Sequence, residues 1–221
     1  MRIGIVGSGR IGGTMMRLLV RGGHQVAIAN RRGPNSLAGL GAELGGRARA
    51  ATVTEAAIGG EMIILAIPFG RYGELPVEPF RRKIVVDATN YYRDRDGSIG
   101  ELDGDRVTST ELIAQHLEGA RLVKAFNTMH YETLATAGAP GSPREERIAL
   151  FLAGDDREAN GIVGELIEQL GFAAIETGSL AQGGRRQQPG SAIYNTPLPA
   201  REAETALGAD PAGSTDPADP V

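Results

Sequence analysis

The chain contains no cysteine, which excludes a disulfide framework and any thiolate metal site. Its three histidines, His24, His116 and His130, stand far apart and lack metal-ligand spacing, so no metal site is expected. No apolar run approaches the roughly 18 residues of a membrane-spanning helix. There is no basic excess either: the formal net charge of -4 argues against a protein built around nucleic-acid phosphates. The opening run MRIGIVG lacks the charged and long apolar regions of a signal peptide, so a cytoplasmic location is expected. No internal repeat is visible. What these absences leave is a protein whose partners are small molecules, neither nucleic acid nor membrane.

With 221 residues, 41% hydrophobic and 23% charged, the chain suits one α/β domain with a sizeable core. Short Ile-, Val- and Ala-rich runs predict strands at 2–6, 25–29, 48–51, 62–67, 83–88, 121–126, 147–154 and 172–176. Segments of helical period predict helices at 10–21, 34–44, 54–58, 108–117, 128–135 and 157–170, several with Ser, Thr or Asp placed as caps. The strands lack polar alternation, as strands buried on both faces do. The expected fold class is therefore α/β: a Rossmann-type, doubly wound, mostly parallel sheet with helices on both faces. It is expected to occupy residues 1–195 as one nucleotide-binding domain whose C-terminal segment covers the substrate. Residues 196–221 hold five prolines and no aromatic residue, and are expected to form a disordered tail.

Gly7, Gly9 and Gly12 form the pattern G-x-G-x-x-G. In a chain with 32 glycines that pattern arises by chance roughly 0.6 times, so the context carries the weight. The motif follows an apolar strand and runs directly into the amphipathic helix IGGTMMRLLVRGG. In that order Gly7 permits a tight turn, Gly9 lets a pyrophosphate approach the backbone, and Gly12 lets the helix pack close to the strand. The plain alternative is a glycine turn without a ligand. Ser8 and Arg10 add a hydroxyl and a cation beside the diphosphate position, or face solvent.

The second strand ends in IANRRGPNS, where an NAD-binding fold usually carries Asp or Glu for the adenosine ribose. A carboxylate there would repel the 2'-phosphate of NADP; Asn30 removes that repulsion. Arg31 can offer a guanidinium to the adenine face and donors to the phosphate, and Arg32 a second charge or turn amides. NADP(H) is the nucleotide these residues favour. Arg-Arg pairs also occur at Arg81 and Arg185, so the position after the strand, rather than the pair itself, carries the inference.

The runs GSGRIGGT, ANRRGP, ILAIPFGRY, VVDATN, ARLVKAFNTM and AQGGRRQQPG, in this order over residues 2–195, resemble the F420-dependent NADP oxidoreductases and their bacterial relatives. The resemblance implies an enzyme exchanging hydride between NADPH and coenzyme F420 or a related flavin. It places Ser8, Arg10 and Ile11 along the diphosphate, Asn30, Arg31 and Arg32 around the 2'-phosphate, and Ile67 and Pro68 beside the nicotinamide ribose. Ala125 and Asn127, within segment 125–128, fall beneath the nicotinamide. The flavin-like ring is expected in a cleft walled by Phe69, Met129, His130 and the loop 183–189, with Arg186 among its substrate-binding residues.

Hydride transfer between stacked rings obliges no side-chain acid or base. None is convincing here: His24 opens the second strand, His116 ends a helix, and His130 is a candidate for a direct role or a first-turn helix residue. Asp87 and Asn90 end a strand at the ligand crevice, or Asp87 holds the following turn. Tyr91 and Tyr92 close the pocket or cover the core. Arg185 and Arg186 suit the phosphodiester and polyglutamate tail of F420, or water. Two other functions stay open: an NADPH-dependent reductase of an imine, a ketone or a metal chelate, and a non-catalytic NADP-sensing module. A homodimer is expected, because a short chain needs something to cover its second ligand.

Overall fold

The apolar runs form the strands β1 (Arg2–Val6), β2 (Gln25–Ala29), β3 (Ala48–Ala51), β4 (Met62–Leu65), β5 (Ile84–Asp87), β6 (Arg121–Ala125), β7 (Ala149–Gly154) and β8 (Ala173–Gly178). The protein is described by a computed structural model that covers residues 1–37, 39 and 45–209. Among these residues one eight-stranded sheet has the order β3-β2-β1-β4-β5-β6-β7-β8. Strands β1 to β6 are parallel. The direction reverses at β7, which pairs antiparallel with β6 over Val123, Lys124 and Ala125, and β8 runs parallel to β7.

The helices are α1 (Arg10–Arg21), α2 (Val53–Gly59), α3 (Arg93–Asp96), α4 (Gly100–Asp103), α5 (Ser109–His116), α6 (Tyr131–Thr136), α7 (Arg157–Gln169), α8 (Gln182–Arg186) and α9 (Ala200–Ala209). Their starts follow from capping chemistry. Thr52 with Glu55 and Thr108 with Glu111 make reciprocal capping boxes at α2 and α5, and Asp156 accepts from the Ala159 amide at α7. The sheet is buried on both faces. Ile5, Ile28, Ile64 and Val86 point to a core with Met15, Met16 and Leu19 of α1 and Val163 and Leu166 of α7. Val6, Ile63, Leu65 and Val85 point the other way, to Phe69, Phe80, Leu112 and Ile113. This accounts for strands without polar alternation.

The expected helix at 128–135 begins only at Tyr131, because Phe126 adopts a left-handed φ of 63° and the chain turns before it can wind. Of the expected helix at 34–44, Pro34–Leu37 is a 3-10 turn, and the rest lies outside the described residues except for 39.

The expected tail is corrected over its first half. Ala200 and Ala203 of α9 are buried against Ala149, Phe151, Ile175 and Ile193. The segment before the helix is stitched to β7 by Ala149 N–H donating to Leu198 O at 2.9 Å. The proline content concealed AREAETALGA, a run rich in strong helix formers that covers one face of β7 and β8. Residues 210–221 of that expected tail lie outside the described residues.

Candidate functional site

The carboxyl ends of β1, β4, β5 and β6 open onto a crevice, where ligands bind in open α/β sheets. Gly7 turns the chain out of β1 with φ +115°, and a Cβ there would lie 2.1 Å from Ala66 O. A Cβ on Gly12 would lie 1.9 Å from Gly7 O, so only glycine lets α1 start this close to the strand. Gly9 is different: nothing stands within 4 Å of where its Cβ would be. Gly9 also caps α1 with no side-chain bond, and no acidic residue occupies the first turn. First-turn amides without intrahelical partners, a positive helix end and open space in front suit an anion.

Asn30 builds the next wall. Its Nδ2 donates to Ser8 Oγ at 3.0 Å, tying the turn to the glycine loop. Its Oδ1 accepts from the Arg32 amide at 2.8 Å and from Ser36 Oγ at 3.1 Å. The side chain thus shapes the turn that carries Arg31 and Arg32, both exposed and, among the described residues, without an ion pair. A cavity of about 670 Å³ runs between this turn, Gly7, Ser8, Gly9, Thr54, Ile67 and Pro68.

A second cavity of about 500 Å³ continues from it, sharing Gly9, Ala66, Ile67 and Pro68. Both volumes suit small-molecule sites. Its floor is polar and cross-braced. Asn127, 3% exposed, donates through Nδ2 to Asn90 Oδ1 at 3.0 Å and to Gln187 O at 2.8 Å. A carbonyl can only accept, which fixes the amide and leaves Asn127 Oδ1 as a buried acceptor without a partner among the described residues. Thr89 Oγ1, also on this cavity, is likewise unpartnered. Beneath them Lys124 and Asp87, 1% and 0% exposed, pair at 3.1 Å; Lys124 Nζ also donates to Thr89 O, and Asp87 Oδ1 accepts from the Thr89 amide. Asp87 therefore holds the turn after β5.

The far wall is aromatic. Tyr194 Oη hydrogen-bonds Tyr92 Oη and accepts from Asn90 Nδ2 at 3.3 Å. Burial and the Tyr92 bond push the Tyr194 phenol above its ordinary range. Arg95 lies 4.9 Å from the Tyr92 ring centroid, anchored on Asn90 O and Asp96. Opposite, Arg10 stands over Tyr131 at 5.1 Å, and His130 is half exposed with Nδ1 3.7 Å from Glu132.

Of the residues named from sequence, Gly7, Ser8, Gly9, Asn30, Arg31, Arg32, Ile67 and Pro68 line the first cavity. Gly9, Arg10, Ile11, Ile67, Pro68, Asn127, Met129 and His130 line the second. Gly12 packs behind the loop. Four expectations are corrected. Phe69 is fully buried among Ile63, Leu65 and Phe80, because the 3-10 turn that follows Pro68 swings it onto the sheet face, where it meets Tyr72 and Tyr91. Ala125 is fully buried in the core and reaches neither cavity. Arg186 lines neither cavity. The segment 183–189 lines neither cavity, and part of it packs inward: Gly183 and Gly184 are buried against Thr177 and Thr108, and Gln187, fully buried, donates to Thr177 Oγ1.

Tyr194, Asn195, Arg95 and Tyr131 line the second cavity without having been singled out. Tyr92 is on the cavity, whereas Tyr91 turns to Asp103 and Gly97. His24 is buried, which lowers its pKa, and His116 Nε2 meets Leu75 O at 2.9 Å. Among the described residues no group of three or more His, Cys, Asp or Glu could hold a metal, and no helix is long and apolar enough to cross a membrane.

Residues 2–91 match the family model described as NADP oxidoreductase coenzyme F420-dependent. The solved structure of the hypothetical protein SMa0349 from Sinorhizobium meliloti is 31% identical, with a TM-score of 0.78 over 90% of this chain and 95% of that one. A protein from Arthrobacter sp. FB24, assigned as an F420-dependent NADP reductase, shares the fold at 24% identity and TM-score 0.69, covering 94% of this chain and 90% of its own. Metalloreductase STEAP3 of Rattus norvegicus is 29% identical over 182 residues, 81% of this chain but 34% of that protein, so the chain spans about a third of this curated relative. The glycine loop, the Asn30 turn and the first five strands all fall in or beside the matched region, and the chain belongs to the family of NADP oxidoreductases designated coenzyme F420-dependent.

Proposed function

We propose that the protein transfers hydride between NADP(H) and coenzyme F420 or a related flavin. One observation carries this: two ligand-sized cavities joined end to end across Gly9 and residues 66–68. One has a helix N-terminus and, at its border, two guanidiniums without an ion pair among the described residues, the other a polar floor and an aromatic wall. The residues fit a dinucleotide. Gly9 leaves room for the diphosphate against the α1 amides, Arg31 and Arg32 face a 2'-phosphate, and Asn127 Oδ1 offers a buried acceptor to a carboxamide N–H. When bound, NADPH supplies the hydride. The chain's own part is to bind and orient: Ile67 and Pro68 sit at the junction, and Met129 and the tyrosines exclude water from the second cavity.

The deciding assay offers F420, FMN, a ketone and an iron(III) chelate to the enzyme, with NADPH and NADH side by side. F420 or FMN reduction with a preference for NADPH of tenfold or more is expected; oxidation of neither nucleotide with any acceptor refutes the reading. Metal-chelate reduction is the second reading, favoured by the identity to the metalloreductase. A homodimer, with the second copy covering the open side of the second cavity, belongs to the proposal and is checked by light scattering.

A further inference from the structure

The second cavity holds one feature that binding a dinucleotide leaves unused: two phenol groups in direct hydrogen bond, brought together from positions 92 and 194. The direction of their bond follows from the amides beneath them. Gln187 O can only accept, so Asn127 presents Nδ2 to it and to Asn90 Oδ1. Asn90 must then present Nδ2 to Tyr194 Oη, which accepts. Tyr92 is the exposed partner, at 39%, and Arg95 lies 4.9 Å from its ring centroid. Having accepted from Asn90, Tyr194 gives its one proton to Tyr92 Oη, and the Tyr92 proton is left for the cavity that both residues line. His130, opposite, is exposed and lacks such support.

We propose that the Tyr194–Tyr92 pair is the hydrogen-bond donor of the acceptor site, and that the acceptor is a conjugated carbonyl system, the deazaflavin ring being one, whose heteroatom becomes anionic as its carbon is reduced. This rests on the hydride-transfer reading above. The acceptor carbon gains a C–H bond as the donor's C–H bond breaks with both its electrons. The negative charge moves to the conjugated heteroatom, where the Tyr92 O–H stabilises it as an oxyanion hole would. The proton that neutralises it comes from water by way of Tyr92. An outer-sphere metal chelate has no use for such a donor.

The test compares the full-length protein with Tyr194→Phe and Tyr92→Phe, using NADPH and F420. Tyr92→Phe is expected to lower kcat tenfold or more with KM for NADPH within twofold. Tyr194→Phe, which removes the bond that orients Tyr92, should lower it less and change the solvent isotope effect. A second readout needs no turnover: in the ligand-free protein, phenolate absorbance at 295 nm should place Tyr194 above the ordinary phenol value near 10, and Tyr92→Phe should bring it down. Wild-type turnover with Tyr92→Phe unchanged in kcat, or Tyr194 titrating in the ordinary range, overturns the inference and leaves the hydride-transfer reading standing. A wild-type protein that oxidises NADPH with no acceptor overturns both.

Discussion

Exchanging Asn30 for aspartate adds one charge to the turn after β2 while keeping its hydrogen bonds. The retained Oδ1 still accepts from the Arg32 amide and Ser36 Oγ, and Ser8 Oγ, now accepting from Nδ2, can rotate to donate instead. Stability should hold, with Tm within about 2 °C, as for surface changes that break no bond. Nucleotide binding should not. A carboxylate about 6 Å from a dianionic 2'-phosphate is repelled by about 1.4 kcal/mol in bulk water and about 2.8 kcal/mol at half that dielectric constant. NADPH should therefore bind about 10- to 100-fold more weakly. NADH should bind more tightly, since the new carboxylate accepts from the ribose hydroxyls in a charge-assisted bond worth about 1.5 kcal/mol or more. Fluorescence titration of both nucleotides at low ionic strength and in 1 M salt separates the terms, because salt screens the repulsion and spares the close hydrogen bonds. NADPH affinity weakened less than threefold at low salt, or NADH weakened in parallel, refutes the assignment of this turn to the 2'-phosphate.

The glycine loop predicts opposite outcomes for neighbouring substitutions. Gly9→Ala should fold with Tm within about 2 °C of wild type yet lose NADPH affinity tenfold or more, while Gly12→Ala, whose methyl meets Gly7 O, should lose about 3 kcal/mol or more in urea unfolding. Arg121 holds Asp156 through two bonds, at 2.5 and 2.8 Å, and together with the Ala159 amide keeps its carboxyl well below the usual carboxylate range. That contribution is complete above the unfolded value near 4 and lost as pH falls through the depressed folded value, so Asp156→Asn should cost about 1 kcal/mol at pH 7 and progressively less below pH 4. Truncation after Asn195 exposes Ala149, Phe151 and Ile175, and should cost about 2–4 kcal/mol by calorimetry; an unchanged Tm contradicts the packing of α9.

The half of the site that local chemistry builds was legible in the sequence. A glycine turn between an apolar strand and an amphipathic helix is written in consecutive residues, and so is a turn bearing Asn30, Arg31 and Arg32 directly after β2. The acceptor side was legible only in part: Asn127, Met129 and His130 could be named, but not Tyr194, because Asn90, Asn127 and Tyr194 meet only through the tertiary fold. Phe69 adjoins two cavity residues, and nothing in its neighbours announces the 3-10 turn that inverts it. The run GGRRQQPG, rich in donors and poor in apolar residues, reads as a ligand-contacting loop by composition. Gly183 and Gly184 are there for close packing, and the first of its paired glutamines, Gln187, is fully buried. The sheet reversal at β7 is equally invisible to periodicity, since a strand buried on both faces has the same pattern in either direction.

The two cavities touch along only four residues, Gly9, Ala66, Ile67 and Pro68. The donor's identity is written before residue 77, in the glycine loop, the Asn30 turn and the segment after β4. The acceptor's is written mostly after residue 87, in the ends of β5 and β6 and the returning chain at Tyr194 and Asn195. The two specificities are thus nearly separate lines of text, and a graft that replaces the later one can exchange the oxidant while the reductant stays the same.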